Sequence, residues 1–283
     1  MSHSELHPPS EVHFDPASLE SIEFPQLIGI DVDGTLVPGD GVIRDRVIRA
    51  IAACEAAGVT VVLATGRSLS TTTPIARAAR MEGWMVCSNG SILATSAPET
   101  IVEALTFDPA PFLDRMIPLL PGAIFTVEDA WGVMNTNVAF HGGALGMAVR
   151  EMPLEQIREI EAVRLVIRSE EHMEQGLGHL VEELDLHEVQ FGIAKVAWLD
   201  VGPKEVNKAS MLASLCNRLA LDPARTITIG DGGNDIRMLE WAGLGIAMGH
   251  ADDEVKAYAN AITSQEPGDG VAEVLEAVVA AKR

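Results

Sequence analysis

From Leu27 onward, short apolar runs alternate with stretches whose apolar residues recur at helical spacing. Leu27-Ile28-Gly29-Ile30 is brief and apolar, the pattern of a strand covered on both faces. Val47, Ile48 and Ile51 then repeat with the helical period, and Gly58 supplies a stop. Val59–Leu63, short and β-branched, predicts a second strand. The alternation returns late in the chain. Met211, Leu212, Leu215 and Leu219 predict a helix, Thr226–Ile229 a strand and Ile236–Trp241 a helix. Leu244–Met248 predicts a further strand and Val271–Ala281 a closing helix. Strands and helices in turn, with polar residues at the strand ends, predict an α/β fold with a doubly wound, Rossmann-like parallel sheet.

The middle reads differently. Pro98, Pro109, Pro111, Pro118, Pro121 and Pro153 interrupt it, strand-like stretches occur at Ala123–Val127 and Val163–Ile167, and helices are expected at Leu154–Ile160 and Met173–Leu184. No polar cluster closes a strand there as cleanly as in the flanks. This predicts a catalytic core over 24–90 and 196–283 with an inserted α+β cap domain over 91–195. Residues 1–23 are polar and carry His3, His7 and His13; without apolar periodicity they are expected to be a flexible tail rather than a helical metal site.

At 283 residues, one large or two ordinary domains are expected. A formal net charge of −21 opposes nucleic acid and anionic membranes as partners. No apolar run is long enough for a membrane span and the N-terminus lacks a signal-peptide pattern. Cys54, Cys87 and Cys216 are scattered and without metal spacing, which suggests small core residues in a reducing cytoplasm.

Candidate chemistry gathers at strand ends, where open parallel sheets hold their ligands. The segment DVDGTL places Asp31 and Asp33 after the first strand, two residues apart and so expected on one side of the pleat. As Asp-Gly is also a turn signal, the segment alone fits a simple turn. ATGR places Thr65 and Gly66 at a strand–helix junction suited to an anionic oxygen. VNKA brings Lys208 to a helix start; Lys204, four residues earlier, is a rival, and the VNKA context favours Lys208. GDGGND sets Asp231 at a strand end and Asn234 and Asp235 at the next helix start. Carboxylates suit a hard cation such as Mg²⁺, which leaves room for water and phosphate. Lysine and threonine would hold the same phosphoryl group, and one aspartate would be available to attack it.

The order DVDGTL, ATGR, VNKA, GDGGND resembles the four motifs of the haloacid dehalogenase superfamily. It is most similar to the Cof-type phosphatases, which carry an α/β cap between the second and third motifs, and the pattern continues through AGLGIAMGHADDEVKAYANAITSQEPGDGVAEVLE. The resemblance implies a Mg²⁺-dependent hydrolase acting on a small phosphate monoester, such as a sugar phosphate or phosphorylated cofactor. Asp31 would be the nucleophile that becomes an aspartyl phosphate, and Asp33 the general acid and then base. Thr65 and Lys208 would bind phosphoryl oxygens, with N–H groups lent by Gly34 and Gly66. Mg²⁺ would be held by Asp31, the carbonyl of Asp33 and Asp231, with Asn234 and Asp235 in support. Two positions depart from the family pattern: Ala209 replaces a glycine, and His250 replaces an asparagine, either as a loop residue or as a substrate or pH-sensitive contact.

Two other functions share these residue types. Phosphosugar mutases share DxDGT and a similar cap, and the C-terminal pattern opposes that reading. Phosphoacceptor signalling domains are shorter and lack the second aspartate. Specificity is expected from the cap, whose 17 acidic and six basic residues between Ser91 and Lys195 disfavour polyanions. Of these, Arg150, Arg164, Arg168 and Lys195 are the cations available to a substrate, each expected to be solvated or ion-paired. Trp131, Asn135 and His141 lie in a stretch able to face a substrate, with core packing the default for Trp131.

Overall fold

A computed structural model describes residues 12–138, 149–170, 189–193 and 197–282. The strands are β1 (Leu27–Ile30), β2 (Thr60–Ala64), β3 (Trp84–Cys87), β4 (Ile92–Ser96), β5 (Glu99–Ala104), β6 (Ile124–Asp129), β7 (Met134–Thr136), β8 (Val149–Glu151), β9 (Ala162–Ser169), β10 (Val189–Ile193), β11 (Ala197–Val201), β12 (Thr226–Gly230), β13 (Leu244–Ala247) and β14 (Ala261–Ile262). The helices are α1 (Asp45–Ala56), α2 (Leu69–Ala78), α3 (Ala110–Leu119), α4 (Leu154–Ile157), α5 (Lys208–Leu219), α6 (Ile236–Trp241), α7 (Asp253–Lys256) and α8 (Asp269–Ala281).

The first sheet runs β14-β13-β12-β1-β2-β3-β4-β5, parallel from β14 to β3 and antiparallel at β4 and β5. The chain builds outward from β1 to β3, then returns on the other side of β1 at β12. This reversal is the topological switch point, where such sheets open a crevice. Alternation in β1 explains its two-sided burial. Ile28 and Ile30 pack with α1 and α8, whereas Leu27 packs with α5 and α6. Gly29 keeps that second face close: a Cβ there would lie 3.2 Å from a Leu212 methyl.

The second sheet runs β10-β11-β9-β6-β7-β8. One face, with Phe125, Val127, Leu165, Ile167, Leu199 and Val201, is sealed by Phe112, Leu113 and Met116 of α3 and Ile157 of α4. By strand alternation the opposite face carries Thr126, Glu128, Arg164, Val166, Arg168 and Asp200. That polar face turns toward the switch point of the first sheet, and most of it lines the cavity between them.

The exchange between sheets falls later than residues 91 and 195. β4 and β5 pair antiparallel onto β3, so 92–104 extends the first sheet, while β11 belongs to the second. Hairpin pairing, which leaves no polar strand-end cluster, decides this. The expectation of a flexible tail is also corrected for 12–23. Phe14 and Leu19 are buried in the main core, Phe14 N–H donates to Ile262 O, and Pro16–Ser21 forms a 3-10 turn capped by Asp15. Spaced apolar residues and the outer edge of β14, where His13 pairs with Ile262, supply the anchor. His3, His7, His141, Lys195 and the helix expected at Met173–Leu184 lie outside the described residues. The helix at Leu154 ends at Ile157.

Candidate active site

Asp31 follows β1 directly and is buried, its amide donating to Ile229 O of β12. Its carboxylate accepts from Lys208 Nζ at 2.6 Å, and the same ammonium reaches Asp235 at 2.7 Å. Lys208 opens α5, where Asn207 caps the helix by accepting from Ser210 N–H. The cap fixes the helix start, and the start aims the lysine into the switch point. Lys204, the rival, is exposed.

Asp235 also accepts from the amides of Asp231 and Gly232, closing the GDGGND turn on itself. Thr35 Oγ1 donates to Asp231 at 2.8 Å, joining the β1 and β12 loops. Gly34 makes this approach possible. Its φ is +83°, and a Cβ would sit 2.4 Å from an Asp231 oxygen. The Gly34 N–H donates to Val37 O at 3.2 Å.

Asp33 departs from the expectation that it shares one side of a pleat with Asp31. β1 ends at Ile30, so a turn, not strand alternation, directs it. Its exposed carboxylate is held in a fork by Arg67, with Nε 2.7 Å from Oδ2. Thr65 is buried beside it, and its hydroxyl accepts from Arg67 N–H. Asn234 donates to Asn89, whose side chain also lies against Gly66. His250 sits 3.3 Å from Asp231 and 2.8 Å from Gln265 O, so the loop histidine does reach the site.

Asp31, Asp231 and Asp235 bring ligand atoms within 4.8 Å of one another. Three carboxylates face one lysine, and burial, then the charge of Asp235, push the Asp31 carboxyl up to about 8. Burial works against the Lys208 ammonium but is outweighed by Asp235 and Asp31, which hold it above its ordinary value. The residues thus fit a hard divalent cation: the cluster is short of positive charge and its donors are oxygens. Asp235 is committed to Lys208 and to two amides, so Asp31 and Asp231 are the ones to offer oxygens.

The site opens into a cavity of about 540 Å³ roofed by the second sheet, with Thr126, Met134, Val149, Val166, Arg168 and Asp200 in its lining. Arg164 is ion-paired with Glu128 and Asp200 as expected for a cap cation, and Arg150 is exposed. Trp131 is 79% exposed at the β6–β7 turn rather than packed, and Asn135 is buried within that hairpin, donating to Asp129 and Val133. Sequence reasoning passed over Arg67, Thr35 and Asn89. Arg67 and Thr35 lie inside the quoted motifs ATGR and DVDGTL, whereas the Ser-Asn-Gly turn signal of Asn89 follows a strand that was not predicted.

Fold and site together define an α/β enzyme that works with strand-end carboxylates at a sheet switch point. The family model for haloacid dehalogenase-like hydrolases matches residues 28–120 and 145–275, and the chain belongs to that family. The 5-amino-6-(5-phospho-D-ribitylamino)uracil phosphatase YcsE of Bacillus subtilis (strain 168) is 29% identical over 88% of this chain and 94% of its own length. A phosphoglycolate phosphatase of Methanopyrus kandleri is 28% identical over 88% of this chain and 95% of its own. A solved structure from Thermotoga maritima shares the fold, with a TM-score of 0.74 at 23% identity over 89% of this chain and 97% of that one. This protein is thus a hydrolase of the phosphatase kind, acting on phosphoric monoesters. Among the described residues, no helix is long and apolar enough to cross a membrane.

Proposed function

We propose that the enzyme hydrolyses a small phosphate monoester, a sugar phosphate or phosphorylated cofactor, by transferring its phosphoryl group to Asp31. The observation that carries this is the buried Asp31 carboxylate, tied to Lys208 and set between Asp231 and the open cavity. An Asp31 oxygen attacks phosphorus, the bond to the ester oxygen breaks, and Asp33 gives the departing alkoxide its proton. Water then attacks the aspartyl phosphate while Asp33 takes the water's proton, releasing phosphate and restoring Asp31. Lys208 and Thr65 hold phosphoryl oxygens throughout, with the Gly66 amide beside them. Asp31, Asp231 and the Asp33 carbonyl, supported by Asn234 and Asp235, would hold Mg²⁺, which would supply neutralisation of the phosphoryl charge.

The cavity volume suits a metabolite rather than a polymer. A reducing cytoplasm is the proposed setting, and the buried free thiols Cys54, Cys87 and Cys216 accord with it. The test is phosphate release from a panel of phosphorylated metabolites, with Mg²⁺ or EDTA, comparing the chain with Asp31→Asn. Metal-dependent release abolished by the substitution supports the reading. Phosphoryl transfer seen only with an activating bisphosphate, without free phosphate, would establish the mutase instead.

A further inference from the structure

Three successive carbonyl groups run along the Thr65–Arg67 turn, and each has a donor. Asn89 N–H reaches Thr65 O at 3.1 Å, and Ser88 N–H reaches Arg67 O at 2.8 Å, both from the loop after β3. The middle carbonyl, Gly66 O, takes its hydrogen bond from the other sheet: Arg164 Nη1 of β9 donates at 2.7 Å. The same guanidinium is held by Glu128 at 2.9–3.0 Å and by Asp200 at 3.4 Å. Glu128 in turn accepts from Ser88 Oγ at 2.8 Å. The inserted sheet therefore grips the turn at its centre and at the loop that flanks it. Arg67, the last residue of that turn, forks onto Asp33.

We propose that Arg164 is a positioning residue for phosphoryl transfer, seating the inserted sheet on the Thr65–Arg67 turn and so setting where Arg67 places Asp33. This rests on the reading of Asp33 as acid and base given above. The residue type matters, because only a planar fork reaches Glu128, Asp200 and a carbonyl together; a lysine supplies charge without that geometry. Loss of the fork leaves buried carboxylates uncompensated and the Gly66 carbonyl without its partner, and the turn is then held by two carbonyls of three.

A residue that only stabilised the fold would slow all substrates by one factor, the loss of folded enzyme. A residue that sets Asp33 acts selectively. An alkyl alkoxide needs a proton from Asp33 to leave, whereas p-nitrophenolate leaves without one; the later water attack, for which Asp33 is the base, is common to both esters and does not enter kcat/KM. The experiment compares kcat/KM, with kcat and KM also taken separately, for the best alkyl phosphate of the panel and for p-nitrophenyl phosphate. It uses the full chain as wild type, Arg164→Met, Arg164→Lys and Ser88→Ala, with thermal unfolding as the control for folding.

Arg164→Met is expected to lower kcat/KM on the alkyl ester by about 10²-fold, with a far smaller loss of kcat/KM on p-nitrophenyl phosphate. Arg164→Lys and Ser88→Ala keep a cation in the cluster and carry the test if Arg164→Met does not fold; both are expected to show the same selectivity at smaller size. Equal losses on the two esters, or a rise in KM at constant kcat, overturn the proposal. Wild-type protein that releases phosphate from neither ester overturns the function itself and this proposal with it, an outcome unlike any selective loss.

Discussion

Lys208 and Arg164 each sit buried among more carboxylates than one cation can balance, yet the two clusters are built for different ends. Around Lys208, three carboxylates converge until their ligand atoms lie within 4.8 Å, and two of them, Asp31 and Asp231, border the open cavity. Around Arg164, Glu128 and Asp200 flank the guanidinium, burial holds both carboxyls above their ordinary range, and among the described residues no such convergence occurs. The cation there is turned outward, to a backbone carbonyl of the neighbouring sheet. A surplus of buried negative charge does not by itself make a metal site. Converging oxygens do, and where they are missing the same surplus serves to orient a cation.

The largest effect expected from this contrast is catalytic. Asp31→Asn should reduce phosphate release by about 10⁴-fold or more, because a nucleophile has no substitute, whereas Glu128→Gln should retain measurable turnover. Lys208→Met should follow, at about 3–5 kcal/mol of stability lost in chemical denaturation, since it strands buried carboxylates; recovery of that loss by adding Asp235→Asn would show that uncompensated charge is the cause.

Metal removal separates the clusters next. Mg²⁺ at about 100 times its dissociation constant should stabilise the wild type by about 2.7 kcal/mol, an increment seen as a rise in Tm. Asp31→Asn and Asp231→Asn should lose that response and Glu128→Gln should keep it. A pH dependence sharpens the point. Folding raises the Asp31 carboxyl from 3.8 to about 8, so the metal-free folded chain binds that proton more tightly than the unfolded one. Its contribution is full in acid and declines as pH rises through about 8. In EDTA, Asp31→Asn should therefore gain in Tm relative to wild type between pH 5 and 8, and a constant difference would sink this account. The smallest effect belongs to Lys204→Ala, expected within about 0.5 kcal/mol of wild type with unchanged turnover.

Much of the first sheet was legible because its signals are local. Leu27–Ile30 and Thr226–Ile229 are apolar runs that end in polar clusters, and a chain must turn where Asp-Gly follows a buried strand. The insertion was legible as a change of texture, but its edges were not: β4 and β5 form an antiparallel hairpin, and nothing within Ile92–Ala104 states which sheet it joins. Phe14 and Leu19 were hidden by polar neighbours, since two apolar residues reveal a docking only once β14 offers an edge.

By itself the sequence determined the order of the four motifs, the carboxylates at the ends of β1 and β12, the lysine at a capped helix start and the existence of an insertion. These follow from periodicity and turn chemistry, which act over a few residues. Only the tertiary structure decided that Lys208 bridges Asp31 and Asp235, that Arg67 holds Asp33, that His250 touches Asp231 and that Arg164 completes the Gly66 turn. Each of these contacts joins residues well separated in sequence. Their partners are chosen by which loops the first sheet brings side by side and, for Arg164, by how the second sheet sits on them, and no local pattern carries that information.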